Sequence, residues 1–226
     1  MPEYIESFLK KHPSHPLFTS EILNAKKLIL DLSPQNLILS QLLKKNNLSH
    51  NFLNTVNHYI LTALQHAQTP YSIGRYLEKR VIYEGTREFH LGLDIGAPVG
   101  TPIYCPWDGV VHSFQDNNRP GDYGPTLILV HEWGSVKFYT LYGHLSRKDL
   151  STWSLHKTYR AGDLLGHMGS TDENGGWLAH LHIQIIKQLH DPQFQPLSGD
   201  YPGICAEQDL AFYQANTLDP AQYLAV

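Results

Sequence analysis

Residues 179–185 read Ala-His-Leu-His-Ile-Gln-Ile, an alternation of polar and apolar side chains that is typical of a β-strand with one buried face. His180 and His182 lie two positions apart and therefore share one face of this strand, while the leucine and isoleucine side chains share the other. The pattern predicts a half-buried strand that presents two imidazoles to the same side.

The sequence around this strand is also typical of β structure. From Gly85 onward, glycine and proline recur between short runs of β-branched and aromatic residues, which favours a sheet assembly over helices. The turn-rich segments 117–124 and 171–176 are predicted loops, and the stretch after His190 is predicted to be irregular, with a short turn or helix near 220–224. The predicted strands are Thr101–Tyr104, Gly109–Phe114, Thr126–His131, Val136–Tyr142 and His180–Ile186.

Residues 1–70 differ in kind, because their apolar residues recur at helical spacing. One helix is predicted through residues 22–29, a second after an N-cap at Ser33-Pro34, and a third over 49–65. We therefore divide the chain into a helical N-terminal region, 1–70, and a β-rich domain, 71–226. Three roles stay open for the helices: inhibition of a site in the second domain, self-association, or covering a sheet edge.

Composition excludes several classes of function. The 226 residues carry a formal net charge of −4, which offers no basic surface for nucleic acid. No apolar run approaches the roughly 20 residues that a membrane span needs, and prolines and charges interrupt the N-terminal stretch where a signal peptide would be apolar. We therefore expect no nucleic-acid partner, no membrane span and a cytoplasmic location. The two cysteines, Cys105 and Cys205, lack metal-type spacing and are predicted to be buried thiols.

Histidine is over-represented, with 14 copies, and two further histidine motifs lie in the β-rich part. In the first, His-Leu-Gly-Leu-Asp over 90–94, Gly92 argues against a helix, so His90 and Asp94 supply a nitrogen and an oxygen from a strand and the turn after it. In the second, Tyr-Gly-His-Leu-Ser over 142–146, the alternation ends at Gly143 and leaves His144 at the end of a strand.

Two histidines and one carboxylate on a rigid sheet are the ligand set of a catalytic zinc site that keeps a position for water. We predict that His90, Asp94 and His182 bind Zn²⁺. Zinc lowers the pKa of its water to about 7 and polarises a substrate carbonyl, while neighbouring imidazoles take up the proton and stabilise the oxyanion. His144 and His180 suit those catalytic roles.

The three motifs resemble the lysostaphin and LytM type of zinc metallopeptidases, whose pattern is H-x-x-x-D, Y-x-H-L and H-x-H in this order. The resemblance covers roughly residues 83–188 and implies an antiparallel β hybrid barrel or sandwich of the LytM type, here with an α-helical N-terminal extension. It implies the same division of roles: His90, Asp94 and His182 as zinc ligands, with His144 and His180 as the catalytic pair.

The chain departs from the family pattern at two turns. Gly124-Pro125 stands where Gly-Asn is usual, and Gly-Trp-Leu-Ala over 176–179 replaces the usual Gly-Pro approach to H-x-H. The long loops around 116–125 and 171–177 are similar to those of a signal-less subset that is fused to class III aminotransferase and kinase-like domains in cytosolic proteins.

The function predicted from the sequence is hydrolysis of a peptide or amide bond by attack of zinc-bound water, on a peptidoglycan-like or other small-residue peptide. Two alternatives remain. One is a catalytically silent peptide- or glycan-binding module of the same fold, although such modules typically lose ligands and this chain keeps the full set. The other is a phosphocarrier domain, a type that shares facing histidines but lacks the H-x-x-x-D pair.

Overall fold

A computed structural model of the chain describes residues 2–45, 48–81, 87–190 and 197–226. Its helices are α1 (Pro2–Lys11), α2 (Ser20–Asn24), α3 (Leu37–Lys45), α4 (Leu48–Ala67) and α5 (Leu210–Asn216). Its strands are β1 (Leu28–Ile29), β2 (Ser72–Gly74), β3 (Phe89–His90), β4 (Leu93–Gly96), β5 (Pro102–Tyr104), β6 (Gly109–Asn117), β7 (Gly124–Trp133), β8 (Val136–Gly143), β9 (Thr158–Tyr159), β10 (Leu164–His167), β11 (His180–Ile186), β12 (Ile204–Cys205) and β13 (Thr217–Leu218).

One large sheet organises these elements, in the strand order β1-β2-β4-β11-β8-β7-β6-β9, with β13 paired to the far end of β11. The pairs are antiparallel except for β1 and β2, which run parallel. Two smaller antiparallel pairs, β10 with β5 and β12 with β3, lie beside it. The predicted fold class, an antiparallel β architecture with an α-helical N-terminal extension, is confirmed.

The main hydrophobic core lies on the face of β11 opposite the two histidines. Leu181, Ile183 and Ile185 are fully buried there, as their alternation predicts. The same core takes in side chains of the first 22 residues, among them Leu9 of α1 and Leu17. Residues from both sides of position 70 thus share one core and one sheet, and the division at that position stays a prediction.

The five strands predicted from the sequence are all found, three of them one to four residues longer than expected. Cys105 and Cys205 lie buried as free thiols, as predicted. The irregular stretch after His190 lies partly outside the described residues, and what is described there includes α5 and a 3-10 turn at Pro220–Gln222.

Two predictions about the N-terminal helices are wrong. The helix predicted over 22–29 is found as α2 and ends at Asn24. Leu28–Ile29 instead forms β1 and pairs with Ser72 and Ile73, because pairing with the sheet outweighs a weak helical preference. The second helix begins at Leu37, where the side-chain oxygen of Asn36, and not Ser33, accepts the Leu39 N–H. The third helix is found as α4, over 48–67.

Helices α3 and α4 pack together over a second apolar cluster that contains Leu30, Leu32, Val56 and Trp177. Since Trp177 belongs to the loop before β11, this cluster joins the N-terminal helices to the strand that carries the two histidines. None of the helices among the described residues combines the length and apolar character that crossing a bilayer requires.

Candidate metal centre

The three histidine motifs meet because β11 lies between β4 and β8. In the antiparallel register, His182 stands opposite Asp94 on one side and opposite Gly143 on the other. His90 ends the short strand just before β4, and His144 follows directly after Gly143. Residues that are up to 92 positions apart in sequence therefore face one point.

His90, Asp94 and His182 form a tight triangle of potential ligand atoms. Asp94 Oδ1 lies 3.1 Å from His90 Nε2 and 2.9 Å from His182 Nδ1, and these two nitrogens are 3.0 Å apart. All three side chains are buried or nearly so. Among the described residues this is the group of histidine, cysteine and acidic side chains whose spacing suits a metal ion.

Hydrogen bonds on the outer side of each imidazole fix which nitrogen faces this triangle. His90 Nδ1 lies 2.9 Å from the Arg75 carbonyl oxygen, and because a carbonyl only accepts, Nδ1 carries the proton and Nε2 presents its lone pair inward. The hydroxyl of Tyr123 donates to the Tyr201 carbonyl at 3.0 Å and lies 3.5 Å from His182 Nε2. His182 Nε2 thus lies toward that hydroxyl, and its Nδ1 faces Asp94.

The charges at this point also favour a cation. Burial, together with repulsion from the Arg80 guanidinium, lowers the pKa of His90 to about 4, so the imidazole is neutral near pH 7. Burial opposes ionisation of Asp94, but the contacts with His90 and Arg80 outweigh it and hold the pKa of the carboxyl well below its ordinary value. The triangle therefore includes a neutral imidazole at His90 and a carboxylate at Asp94.

This donor set fits zinc. His90 Nε2, His182 Nδ1 and Asp94 Oδ1 lie within about 3 Å of one another, and imidazole with carboxylate is a common zinc donor set. A tetrahedral zinc ion with bonds of about 2.0–2.2 Å would hold neighbouring ligand atoms about 3.3–3.6 Å apart, a little wider than the spacing found here.

His144 and His180 lie beside the triangle, with their rings 4.2 Å apart between centroids. The Nδ1 of His144 donates to the Asn174 carbonyl at 3.0 Å, and the Nδ1 of His180 donates to the Leu178 carbonyl at 2.7 Å. Each ring therefore keeps an unprotonated Nε2 when neutral, and that of His180 is 3.8 Å from Asp94 Oδ1. Burial lowers the pKa of both rings. The pKa of His144 falls well below its ordinary value, because repulsion from the His180 and His182 rings adds to the effect of burial.

Backbone geometry around these residues explains the glycines of two motifs. A side chain at Gly92 would stand 2.6 Å from the ring of His182, and one at Gly143 would stand 2.7 Å from the ring of Tyr123. His144 has a φ of +63°, a left-handed conformation that is costly for a residue with a Cβ and is common at functional sites. Its amide donates to the Tyr123 carbonyl, and its carbonyl accepts the Gly169 N–H, so both neighbouring loops hold this turn.

The second oxygen of Asp94 has a partner that the sequence analysis missed. Arg80 Nη2 lies 2.8 Å from Asp94 Oδ2, and Arg80 Nε lies 3.3 Å from Glu78 Oε2, with both partners of that second pair almost fully buried. The other oxygen of Glu78 accepts the Leu32 backbone N–H at 3.1 Å. No motif marks Glu78 and Arg80; only their two-residue spacing, which places them on one face of an extended segment, hints at a shared contact.

The site opens into a groove of about 1130 Å³. Its lining includes residues of the loops near 119–123 and 197–206, together with Leu30, Leu32, Val56 and Ile60 of the N-terminal region. The aromatic lining of the groove includes Tyr123 and Trp177. Trp133 lies elsewhere and packs against Phe8 and Phe138.

Comparison with known proteins agrees with the motifs. Residues 88–194, slightly less than half of the chain, match the model of Peptidase family M23. The DD-carboxypeptidase/endopeptidase Mpg of Neisseria meningitidis is 35% identical over 107 residues, which cover 47% of this chain and 23% of that protein. The peptidoglycan DD-endopeptidase ShyC of Vibrio cholerae is 32% identical over 123 residues, which cover 51% of this chain and 26% of that protein. The chain thus spans about a quarter of the length of these two relatives.

Among solved structures, the catalytic domain of the antimicrobial peptidase lysostaphin from Staphylococcus simulans aligns with a TM-score of 0.46 and 18% identity, over 73% of this chain and 97% of that chain. A zinc-containing peptidase from Vibrio cholerae aligns with a TM-score of 0.35 and 26% identity, over 43% of this chain and 27% of that chain. The resemblance to lysostaphin- and LytM-type metallopeptidases is confirmed by the match of residues 88–194 to Peptidase family M23.

Proposed function

We propose that this chain is a zinc-dependent peptidase that hydrolyses a peptide bond in peptidoglycan or a fragment of it. The observation that carries the proposal is the meeting of three inward-facing ligand atoms, on His90, Asp94 and His182, with two neutral imidazoles whose Nδ1 protons are already held by carbonyls. That arrangement combines a metal site with groups able to accept a proton at neutral pH.

His90 Nε2, Asp94 Oδ1 and His182 Nδ1 would hold the metal, since these are the atoms that face one another. When bound in such a site, zinc lowers the pKa of a coordinated water to about 7 and polarises a substrate carbonyl. The protein contributes rigidity: the ligands stand on neighbouring strands, and Arg80 fixes the second oxygen of Asp94 so that the first points inward.

His144 and His180 would handle the proton. In the neutral ring the Nε2 lone pair accepts a proton from the attacking water, and the same nitrogen then donates it to the leaving amine. Because carbonyls hold both Nδ1 protons, neither ring can turn its protonated nitrogen toward the groove without losing a hydrogen bond. General acid–base catalysis of this kind typically contributes about 10²- to 10⁴-fold in rate.

The substrate class is proposed from the relatives, which are named as a DD-carboxypeptidase/endopeptidase and a peptidoglycan DD-endopeptidase. Since the chain spans about a quarter of each, the particular bond stays part of the proposal. The groove supports an extended peptide substrate, because it is open and its lining combines apolar side chains with the carboxyl groups of Asp122 and Asp200.

The test is hydrolysis of cross-linked peptidoglycan fragments by the zinc-loaded full chain, before and after a chelator and after zinc is restored. We expect hydrolysis that the chelator abolishes and zinc restores. His66→Ala, which removes an exposed histidine of α4, is the control and should leave the rate unchanged. A chain that binds zinc stoichiometrically but cleaves none of the fragments would contradict the proposal and favour a silent binding module.

Two variants separate the proposed roles. His90→Ala should lose zinc, because it removes a ligand atom. His144→Ala should retain zinc and lose hydrolysis by about 10²-fold or more, because its ring lies beside the ligand triangle and is not part of it. Equal loss of metal from both variants, measured after dialysis, would overturn this division.

A further inference from the structure

Asn57 of helix α4 forms two hydrogen bonds with the loop that leads into β11. Asn57 Nδ2 donates to the Gly176 carbonyl at 2.8 Å, and Asn57 Oδ1 accepts the Leu178 N–H at 2.8 Å. One amide thus pairs with the backbone on both sides of Trp177, much as a neighbouring strand would. The two partners lie 119 and 121 positions away along the chain, in the β-rich part.

The same loop supplies both carbonyls that orient the proposed catalytic histidines. The Asn174 carbonyl accepts the His144 Nδ1 proton at one end of the loop, and the Leu178 carbonyl accepts the His180 Nδ1 proton at the other. Asn57 binds between these points and on Leu178 itself. A shift of the loop would therefore move both acceptors together.

The loop has little conformational preference of its own. Gly175 and Gly176 adopt φ values of +82° and +92°, and glycine is the residue that loses most backbone freedom when it is fixed. Other contacts hold the first half of the loop: the Gly175 carbonyl accepts the Gly121 N–H, and the Asn174 side chain accepts the Trp177 N–H. In the second half of the loop, the Asn57 side-chain amide forms hydrogen bonds with the Gly176 carbonyl and the Leu178 N–H.

Apolar packing brings α4 to this position. The ring of Phe52 meets that of Trp177 edge-on at 5.8 Å, and Leu53 approaches Gly176. These contacts set the distance between helix and loop but not the direction of the loop carbonyls, because apolar contacts are non-directional. The two hydrogen bonds of Asn57 supply that direction.

We propose that Asn57 is a positioning residue for His144 and His180, and that α4 is therefore a working part of the site. The inference rests on the proposed function for its catalytic consequence, but its structural content does not depend on hydrolysis. It predicts that the loop carbonyls, and with them the two imidazoles, lose their fixed orientation when the Asn57 amide is removed.

Activity provides one test. In zinc-loaded full chain, Asn57→Ala should lower kcat by about 10- to 100-fold, the size expected for misplaced catalytic groups, and should leave zinc stoichiometry unchanged. Asn57→Asp is nearly isosteric and guards against a folding defect. It keeps the acceptor for the Leu178 N–H but turns an oxygen toward the Gly176 carbonyl, so it should also lower kcat. Gln65→Ala, an exposed position of the same helix, should behave as the unaltered chain.

Imidazole NMR provides a second test that needs no substrate. The Nδ1 protons of His144 and His180 should exchange with solvent at least 10-fold faster in Asn57→Ala and Asn57→Asp than in the unaltered chain. The Nδ1 proton of His131, which the Asp108 carbonyl holds elsewhere in the sheet, is an internal reference and should not change.

The two tests distinguish the two proposals. Faster exchange at His144 and His180, in a chain that hydrolyses nothing, would leave the positioning role standing and contradict the proposed function. Unchanged exchange at both rings in the folded Asn57 variants would overturn the positioning role, whatever happens to the rate.

Discussion

Arg80 shows how much of the candidate site depends on a residue outside its motifs. Its guanidinium lies between the carboxylates of Asp94 and Glu78, and all three side chains are largely shielded from water. Gly74 leaves room for the ion pair of Arg80 and Asp94, since a Cβ at position 74 would stand 2.8 Å from Arg80 Nη2. A buried carboxylate that loses its cation is left with an uncompensated charge, which is costly.

We therefore expect Arg80→Met to weaken zinc binding by about 10- to 100-fold and to lower the free energy of unfolding by about 3–5 kcal/mol. Competition with a chromophoric chelator measures the first effect, and urea unfolding the second. Arg87→Met, which removes an exposed arginine from the same groove, is the control and should change neither. Unaltered zinc affinity in Arg80→Met would show that Asp94 needs no such support.

The residues that the sequence could predict are those that belong to local patterns. His90, Asp94, His144, His180 and His182 stand in motifs whose alternation and glycines restrict where each side chain points. Arg80, Glu78 and Asn57 could not be predicted in the same way, because their partners are set by the tertiary fold. The Asn57 contacts, for example, join positions more than a hundred residues apart.

At the scale of elements, the turn between β3 and β4 packs closely against His182, one of the proposed zinc ligands. Gly92 lies against the ring of His182. A Cβ at this position would also stand 2.8 Å from the Ile183 carbonyl oxygen. We expect Gly92→Ala to displace His182, to weaken zinc binding, and to cost about 1–3 kcal/mol as an overpacked contact.

The control for this variant is Gly100→Ala. Gly100 has a φ of +79°, so alanine is strained there, but no atom lies within 4 Å of the added Cβ. It should therefore lose some stability and retain zinc. Equal zinc affinity in the two variants, measured against the same chelator, would mean that the turn can yield without moving His182.

The elements also show where local patterns stop being informative. Five strands of the β-rich part are predicted to within a few residues, because runs of β-branched and aromatic residues between glycines and prolines mark β5, β6, β7, β8 and β11. The segment 22–29 has helical spacing, yet its last two residues form β1, since the adjacent β2 offers hydrogen bonds that an isolated segment lacks. Short apolar runs leave this choice to tertiary context.

At the scale of the whole molecule, buried neutral histidines should make the fold sensitive to acid. His131 is fully buried, with Nδ1 donating to the Asp108 carbonyl and Nε2 2.7 Å from Thr140 Oγ1. Burial lowers its pKa to about 4, although the hydrogen bond to the Asp108 carbonyl and the charge of Asp108 partly oppose this shift. Between about pH 6.5 and 4 the unfolded chain thus binds a proton at His131 that the folded chain does not, so the free energy of unfolding falls as the pH falls.

The pKa difference corresponds to about 3 kcal/mol for His131 alone, all of it lost in that pH window and none above it. Urea unfolding of the metal-free chain at pH 7 and pH 4 measures the loss. His131→Gln should reduce the loss by about this amount without abolishing it, because His90 is also buried with a lowered pKa. His66→Gln, at an exposed position, is the control. The same pH dependence in both variants would contradict this assignment.

The role of the N-terminal region also belongs to this scale. The sequence leaves open whether residues 1–70 inhibit the site, mediate self-association or cover a sheet edge. Side chains from residues 5–22 complete the main core, β1 extends the sheet, and α4 fastens the loop that holds His144 and His180. Each large apolar side chain contributes about 1.5–3 kcal/mol by burial, so losing several costs on the order of the whole free energy of unfolding of a domain.

We therefore expect a chain that begins at residue 71 to show no cooperative thermal unfolding and no zinc-dependent hydrolysis. Two point variants in α1 calibrate the effect. Leu9→Ala, in the core, should cost about 2–5 kcal/mol, whereas Tyr4→Ala, at a position 63% exposed, should cost close to nothing. A folded truncated chain that hydrolyses faster than the full chain would instead identify residues 1–70 as an inhibitory arm, since covering the groove would then be their dominant effect.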